Sequence, residues 1–443
     1  DPPAKDIVST LSSYIAWLEQ ESQFNEFHDF IEKVRIAILG KGKDPPLVNP
    51  EVVKEIYNLI NTMRPLHGTG FDLFGSVYEK FADAKEKKDF GEYFTRRHYT
   101  HILAKLLLEK EQHFDKDRTF RLLDPACGTG GFLTESFKIL HSSYAKTKTL
   151  NTNTMNFLSK KCFWGMDVRK DNISRTKLNM FLVGDGHTNL IIDNTLQRDF
   201  EDEKWDYIIT NPPYGPGNIP AETTYVSSKR TEVAFLFRII KLLKDGGSAC
   251  IILPDGILEN PSLENLRKEF LEKCDIYAII SLPKFAFAPY TKEKTYALFF
   301  TKKNKELTQS QKDPVWMYIL DNDGFANSDK RFPTKLRDNR NGWLHDEISG
   351  WVSTDGEEMV GILEDRWLNF DDSKTKGTEW MNDKGVTVKL RKGGFVKFSD
   401  ILTGDYLSLL PEYHLRFSDP KFITFDQLKN DVKSIQKSLK NIS

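Results

Sequence analysis

The sequence predicts an α/β protein: a doubly wound, Rossmann-like sheet with a helical N-terminal domain and a C-terminal extension. Three observations carry this. Between about residues 91 and 305, short apolar runs alternate with stretches of helical spacing. One run closes on a glycine-rich turn, Gly128-Thr129-Gly130-Gly131, that opens a helix. Another, Tyr207-Ile208-Ile209-Thr210, ends on the rigid string Asn211-Pro212-Pro213-Tyr214.

Taken in order, residues 1–90 read as a helical domain. Leu11, Tyr14, Ile15 and Leu18 keep helical spacing, as do Phe27, Phe30, Ile31 and Val34. Pro45-Pro46 and Pro50 break the pattern, and a second helical group follows over 52–63. Gly68, Gly70 and Gly75 mark a turn-rich passage, and the charged run 83–89 reads as a solvated helix face. Residues 91–310 form the expected catalytic domain, with strands at 119–123, 162–166, 189–192, 207–210, 248–253, 277–281 and 297–301. Helical patterns between most of them predict an open, mostly parallel sheet. Residues 311–443 form the extension. Trp316, Trp343, Trp351, Trp367 and Trp380 read there as packing residues. Phe425, Leu428, Val432, Ile435 and Leu439 repeat at steps of three and four, an amphipathic helix that caps a domain or docks on a partner helix.

Composition bounds the function. A chain of 443 residues exceeds one ordinary core. It has 39% hydrophobic and 29% charged residues and no run of about 18 apolar residues, so a soluble protein without a membrane span is expected. It starts at Asp1 without a signal-peptide pattern, and the missing initiator Met points to a fragment or a partly ordered chain. Cys127, Cys162, Cys250 and Cys274 lack metal-ligand spacing, so free thiols in a reducing cytoplasm, and no metal, are expected. A formal charge of -1 requires any nucleic-acid surface to be a segregated patch or a basic partner.

The stretch Asp124 through Ala126, Gly128, Thr129, Gly130 and Gly131 is the candidate cofactor loop. Glycines at a strand-to-helix turn let a ligand approach the backbone, and the helix start offers free N–H groups. No Lys-Ser/Thr follows, which excludes the P-loop, and the spacing departs from the dinucleotide fingerprint. Asp167, closing the next strand, stands where a ribose diol is bound in such folds, and Asp193-Asn194 after the third strand suits an adenine edge. Asn211 and the Pro212 carbonyl are two acceptors for the two N–H donors of an exocyclic amine, with Tyr214 able to stack on the ring. Pro213 completes the rigid turn. Together these strings point to methyl transfer from S-adenosyl-L-methionine to an exocyclic nitrogen. A base in duplex DNA must be flipped out for this, and among Phe285, Phe287 and Tyr290 the leading aromatic platform is Phe287.

Five stretches resemble the modification (M) subunits of type I restriction–modification systems, within the gamma-class amino-methyltransferases. Gly91-Glu92-Tyr93-Phe94-Thr95-Arg96-Arg97 is similar to the family's cofactor-covering segment, with Glu92 where the family usually has Gln and Arg96 where it has Pro. The stretches 124–132 and 211–214 match well, although Phe is commoner than Tyr at position 214. Leu253-Pro254-Asp255-Gly256 and the passage from Leu282-Pro283 through Phe287 and Tyr290 to Lys294-Thr295 complete the set. The resemblance implies cofactor contacts from Glu92, Tyr93, Phe94, Thr95, Arg96, Arg97, Thr129, Gly130, Gly131 and Asp167. It implies adenine held by Asn211, Pro212 and Tyr214, and N6-methyladenine as product. It further implies double-stranded DNA and a separate specificity (S) subunit as partners, with cleavage left to another polypeptide such as a restriction (R) subunit. Alternatives stay open: a stand-alone or fused enzyme, cytosine-N4 or protein-glutamine methylation, and a non-catalytic DNA-binding or assembly subunit.

Overall fold

The computed structural model describes residues 4–20, 28–62, 95–112, 119–184, 189–200, 203–217, 219, 229–304, 311–331, 346–348, 351–352, 358–359, 361–367, 380–381, 387–390 and 393–416. Helices α1 (Ala4–Gln20), α2 (His28–Leu39) and α3 (Pro50–Thr62) open the chain. α1 packs on both others, and Ile7, Ile15, Ile31 and Val53 are buried. Tyr14, expected on the apolar face, is exposed and lies 5.3 Å from the Trp17 ring. The boundary near 90, the charged run 83–89 and the amphipathic pattern 425–439 lie outside the described residues.

α4 (Arg97–Leu107) leads into the sheet. Strands β1 (Leu122–Asp124), β2 (Phe163–Asp167), β3 (Asn189–Ile192), β4 (Trp205–Thr210) and β5 (Leu243–Pro254) are parallel. Helices α5 (Gly131–Lys146), α6 (Lys170–Val183) and α7 (Thr231–Leu242) connect them, and α8 (Glu264–Lys273) precedes β6 (Cys274–Ser281). β7 (Thr295–Lys302) runs antiparallel between β5 and β6. The order continues through β8 (Val315–Ile319), parallel to β6. A second sheet holds β9 (Trp351–Val352), β10 (Glu358–Met359), β11 (Trp380–Met381) and β12 (Thr387–Leu390). β13 (Gly394–Val396) returns to the main sheet, whose order is β13-β8-β6-β7-β5-β4-β1-β2-β3. The division expected at 310 therefore runs through one sheet. Val315-Trp316-Met317-Tyr318-Ile319 is itself a buried apolar strand whose ladder partners are β6 and β13.

Alternation along the strands fills two cores. Ile209, Cys250, Ile252 and Phe299 face Tyr99, Leu103 and Phe137 in one. Ile208, Ala249, Ile251 and Phe300 face Phe235, Leu236 and Phe270 in the other. Because helices cover both faces, the strands read as nearly continuous apolar runs. Trp316 is fully buried and its Nε1 donates to Asp365 Oδ1 at 3.0 Å, which fits the packing role expected of it. Trp343 and the side chains of Trp351, Trp367 and Trp380 lie outside the described residues. All four cysteines are separate, buried thiols. No described helix is long and apolar enough to cross a membrane.

Candidate active site

Strand order reverses beside β1: the chain turns one way to β2 and β3 and later the other way to β4 and β5. Crevices form at such switch points, outside the carboxyl ends of the strands. A cavity of about 410 Å³ lies there. Its floor is the turn after β1. Asp124 is 1% exposed and accepts from the Ala126 N–H at 3.2 Å, and burial pushes its carboxyl up to about 7. The turn is stitched to its neighbours: Cys127 N–H donates to Met166 O at 2.9 Å, Thr176 Oγ1 to Gly128 O at 2.7 Å, and Asn179 Nδ2 to Thr129 O at 2.8 Å. Asp167 Oδ2 accepts from the Gly128 N–H at 3.0 Å, while Oδ1 accepts from the Arg169 N–H at 2.9 Å.

Gly130 shows why the turn needs glycine. Its φ is +80°, and a Cβ there would stand 2.6 Å from Thr176 Cγ2. Gly130→Ala adds left-handed strain to a side-chain clash, and we expect a stability loss of about 2–3 kcal/mol. Urea denaturation checks this, and an unchanged midpoint would refute the reading.

The cavity brings together most of the residues expected from the sequence. Thr95, Asp124, Ala126, Gly128, Thr129, Gly131, Asp167, Asp193, Asn194, Asn211, Pro212 and Pro213 all line it. Asp193 Oδ2 pairs with Arg198 at 3.1 Å and Oδ1 accepts the Asn194 N–H at 2.7 Å, which fixes the turn after β3. Asn211, directly after β4, donates from Nδ2 to Thr95 Oγ1 at 3.1 Å, and its Oδ1 accepts from the Tyr214 hydroxyl at 2.5 Å.

Other expected residues stand elsewhere. Glu92, Tyr93 and Phe94 lie outside the described residues. Arg97 does not line the cavity: its guanidinium bonds Thr134 Oγ1 at 2.6 Å and Glu135 Oε1 at 3.3 Å, and so ties α4 to the first turn of α5. Arg96 lies 4.8 Å over the Phe325 ring, also away from the lining. Gly130 faces Thr176 behind the loop. Tyr214 packs its ring against the core and spends its hydroxyl on Asn211. Phe287 corrects the expected platform. It is 1% exposed, 6.2 Å from the Tyr99 ring, and the aromatic of this loop that lines the cavity is Tyr290. A tight turn over 284–290 points one ring inward and leaves the last at the cavity edge.

Sequence reasoning missed other lining residues. Val168 is 62% exposed yet apolar, directly after Asp167. An apolar residue following a strand-end acid was the available signal, since it offers a flat surface beside a bound ring. Phe235 also lines the cavity from α7, where its spacing cannot be told from core periodicity.

A doubly wound sheet with β7 reversed between β5 and β6, a glycine loop after β1 and Asn-Pro-Pro-Tyr after β4 defines a Rossmann-like methyltransferase fold. The family model described as N-6 DNA Methylase matches residues 69–347, and the chain belongs to that family. It is 32% identical over 316 residues to the type I restriction enzyme EcoEI methylase subunit of Escherichia coli, covering 68% of this chain and 59% of that one. It is 31% identical over 313 residues to the StySPI methylase subunit of Salmonella potsdam, covering 65% and 56%. The chain thus spans less than two thirds of these curated relatives. A solved chain from work on complex assembly and conformational transition of the type I R-M system shares the fold, with TM-score 0.55 and 19% identity over 100% of this chain and 83% of that one.

Proposed function

We propose that this chain is the modification subunit of a type I restriction–modification complex, transferring methyl from S-adenosylmethionine to N6 of a flipped adenine in double-stranded DNA. The observation that carries this reading is one cavity lined both by the glycine loop and by Asn211 with Pro212. The names of the relatives, methylase subunits of type I restriction enzymes, support the assignment to a complex. On this reading a separate specificity (S) subunit chooses the DNA sequence, a restriction (R) subunit supplies cleavage, and the work is cytoplasmic, in keeping with four buried cysteines that are in no disulfide.

The residues present fit the cofactor. Three carboxylates, Asp124, Asp167 and Asp193, border the cavity, which suits a cationic ligand with a ribose diol and an adenine. When bound, S-adenosylmethionine supplies an electrophilic methyl on a sulfonium. Asp167, held rigid by the Gly128 and Arg169 N–H groups, accepts from the ribose hydroxyls. Asp193 and Asn194 meet the adenine edge, and the first N–H groups of α5 meet the polar tail. By family resemblance Glu92, Tyr93 and Phe94 cover the same ligand, while Arg97 contributes through α5. On the acceptor side, Asn211 Oδ1 and the Pro212 carbonyl take the two N–H bonds of the exocyclic amine. That draws the nitrogen toward tetrahedral geometry and frees its lone pair, so positioning replaces a strong base. The methylated nitrogen then loses its proton to water.

Asp124 gives a prediction with a definite sign. Its raised pKa keeps it largely protonated below about 7. A cationic ligand alongside favours the carboxylate, so cofactor binding at about pH 6 releases up to roughly one proton. Calorimetry in buffers of different ionisation enthalpy reads this directly, and Asp124→Asn removes it. Equal heats in every buffer argue against Asp124 facing the positive charge.

The test of function uses the protein with its partners attached, unmethylated duplex DNA and methyl-labelled S-adenosylmethionine, followed by digestion to nucleosides. Label in N6-methyladenine is expected. Label in N4-methylcytosine changes the base and keeps the clamp. No label in DNA, with cofactor bound, overturns the reading.

A further inference from the structure

We infer that Thr95 is a positioning residue that keys the Asn211 amide, so that its oxygen rather than its nitrogen meets the acceptor amine. The inference rests on the methyl-transfer reading above. An asparagine amide has one acceptor end and one donor end of nearly the same shape. Turned the wrong way, Asn211 would present N–H groups to an amine that itself donates, and the clamp would repel what it should hold.

The structure holds the amide in one orientation through two contacts. Nδ2 lies 3.1 Å from Thr95 Oγ1, a length suited to N–H···O. Oδ1 lies 2.5 Å from the Tyr214 hydroxyl, a length suited to O–H···O. The Tyr214 donor uses one lone pair of Oδ1 and leaves the second for the substrate. Thr95 reaches Asn211 across 116 positions of sequence, from two residues before α4. It also lines the cavity that the glycine loop and the clamp share. The family resemblance implied Thr95 as a cofactor contact; in the structure its hydroxyl accepts from the Asn211 amide.

Without the Thr95 hydroxyl, Nδ2 loses its acceptor and the amide gains by turning Nδ2 toward the Tyr214 oxygen. That orientation is unproductive. The test compares Thr95→Val, nearly isosteric but without the hydroxyl, with Thr95→Ser, in the protein with its partners. For Thr95→Val we expect kcat to fall about tenfold or more, with the S-adenosylmethionine Kd within about twofold of wild type. Thr95→Ser should recover most of the loss, which a purely steric role would not explain. A weakened Kd with unchanged kcat makes Thr95 a cofactor contact and overturns the inference, as does unchanged turnover. Should Thr95→Val not fold, Tyr214→Phe reads the same amide from its other end. A fall in kcat of about threefold at unchanged Kd supports the keyed amide, and no change overturns it. Wild-type protein that places no label in DNA sinks the underlying reading instead, so the two failures are distinguishable.

Discussion

Replacing Asn211 by alanine is expected to lower kcat for methyl transfer by roughly 10³-fold or more, about 4 kcal/mol of transition-state stabilisation, while cofactor affinity stays within about threefold of wild type. The asymmetry follows from where the residue stands. Asn211 follows β4, and its amide faces Thr95 and Tyr214. The carboxylates proposed for the cofactor end β1 and β2 and follow β3. Removing Asn211 deletes an acceptor that tightens only as the amine nitrogen becomes tetrahedral, so the loss falls on kcat. The measurement is single-turnover transfer of labelled methyl beside calorimetric cofactor affinity. Unchanged turnover would remove the clamp assignment. Parallel loss of affinity and turnover would mean that Asn211 supports the fold of the cavity rather than the reaction.

The strands were legible because burial on both faces writes itself into sequence. Ile208-Ile209 and Phe299-Phe300 are apolar at consecutive positions since each neighbour faces a different core. Strand ends were less legible. β5 begins at Leu243, which pairs with Trp205, and runs through exposed Lys244, Asp245 and Gly246 before its apolar pattern starts. β8 and β13 were hidden by the irregular composition around them. At the site, the residues bound to a turn were readable: a glycine needing positive φ and a proline pair after a strand have local causes. Residues whose roles depend on distant partners were not. The Arg97 guanidinium finds Thr134 and Glu135 in α5, and Phe287 finds Tyr99 in α4. Three aromatics within six residues, Phe285, Phe287 and Tyr290, carry no periodicity that separates a cavity edge from a core.

The same argument applies to the buried ion pair between Asp323 and Arg331, invisible in sequence, where we expect Arg331→Met to lower stability by about 3 kcal/mol. Asp323 and Arg331 are 0% and 1% exposed at their side chains. Asp323 Oδ2 also accepts from the Tyr99 hydroxyl and meets His98 Nε2 at 3.2 Å, so one carboxylate joins α4 to the passage after β8. Burial opposes its charge, yet His98, Tyr99 and Arg331 together hold the carboxyl down at about 2. Methionine keeps much of the arginine's volume and leaves that carboxylate buried without its cation, which is the costly way to break such a pair. The thermal midpoint should fall by roughly 5–10 °C. Because the folded pKa is depressed, the stabilisation is present above the ordinary carboxylate pKa near 4 and is lost as pH falls toward about 2. The gap between wild type and variant should therefore be widest above about pH 5 and close in acid. Adding Asp323→Asn to Arg331→Met removes the orphaned charge and should recover part of the loss, a reversal that a mere packing defect would not produce. This passage also anchors the loop bearing Phe287 and Tyr290, since Phe285 N–H donates to Asn327 Oδ1 at 3.2 Å and Lys292 pairs with Asp329 at 2.5 Å. Denaturation followed over pH reads the ion pair. A midpoint equal to wild type at neutral pH would show that the carboxylate finds other compensation, and would free the loop from this anchor.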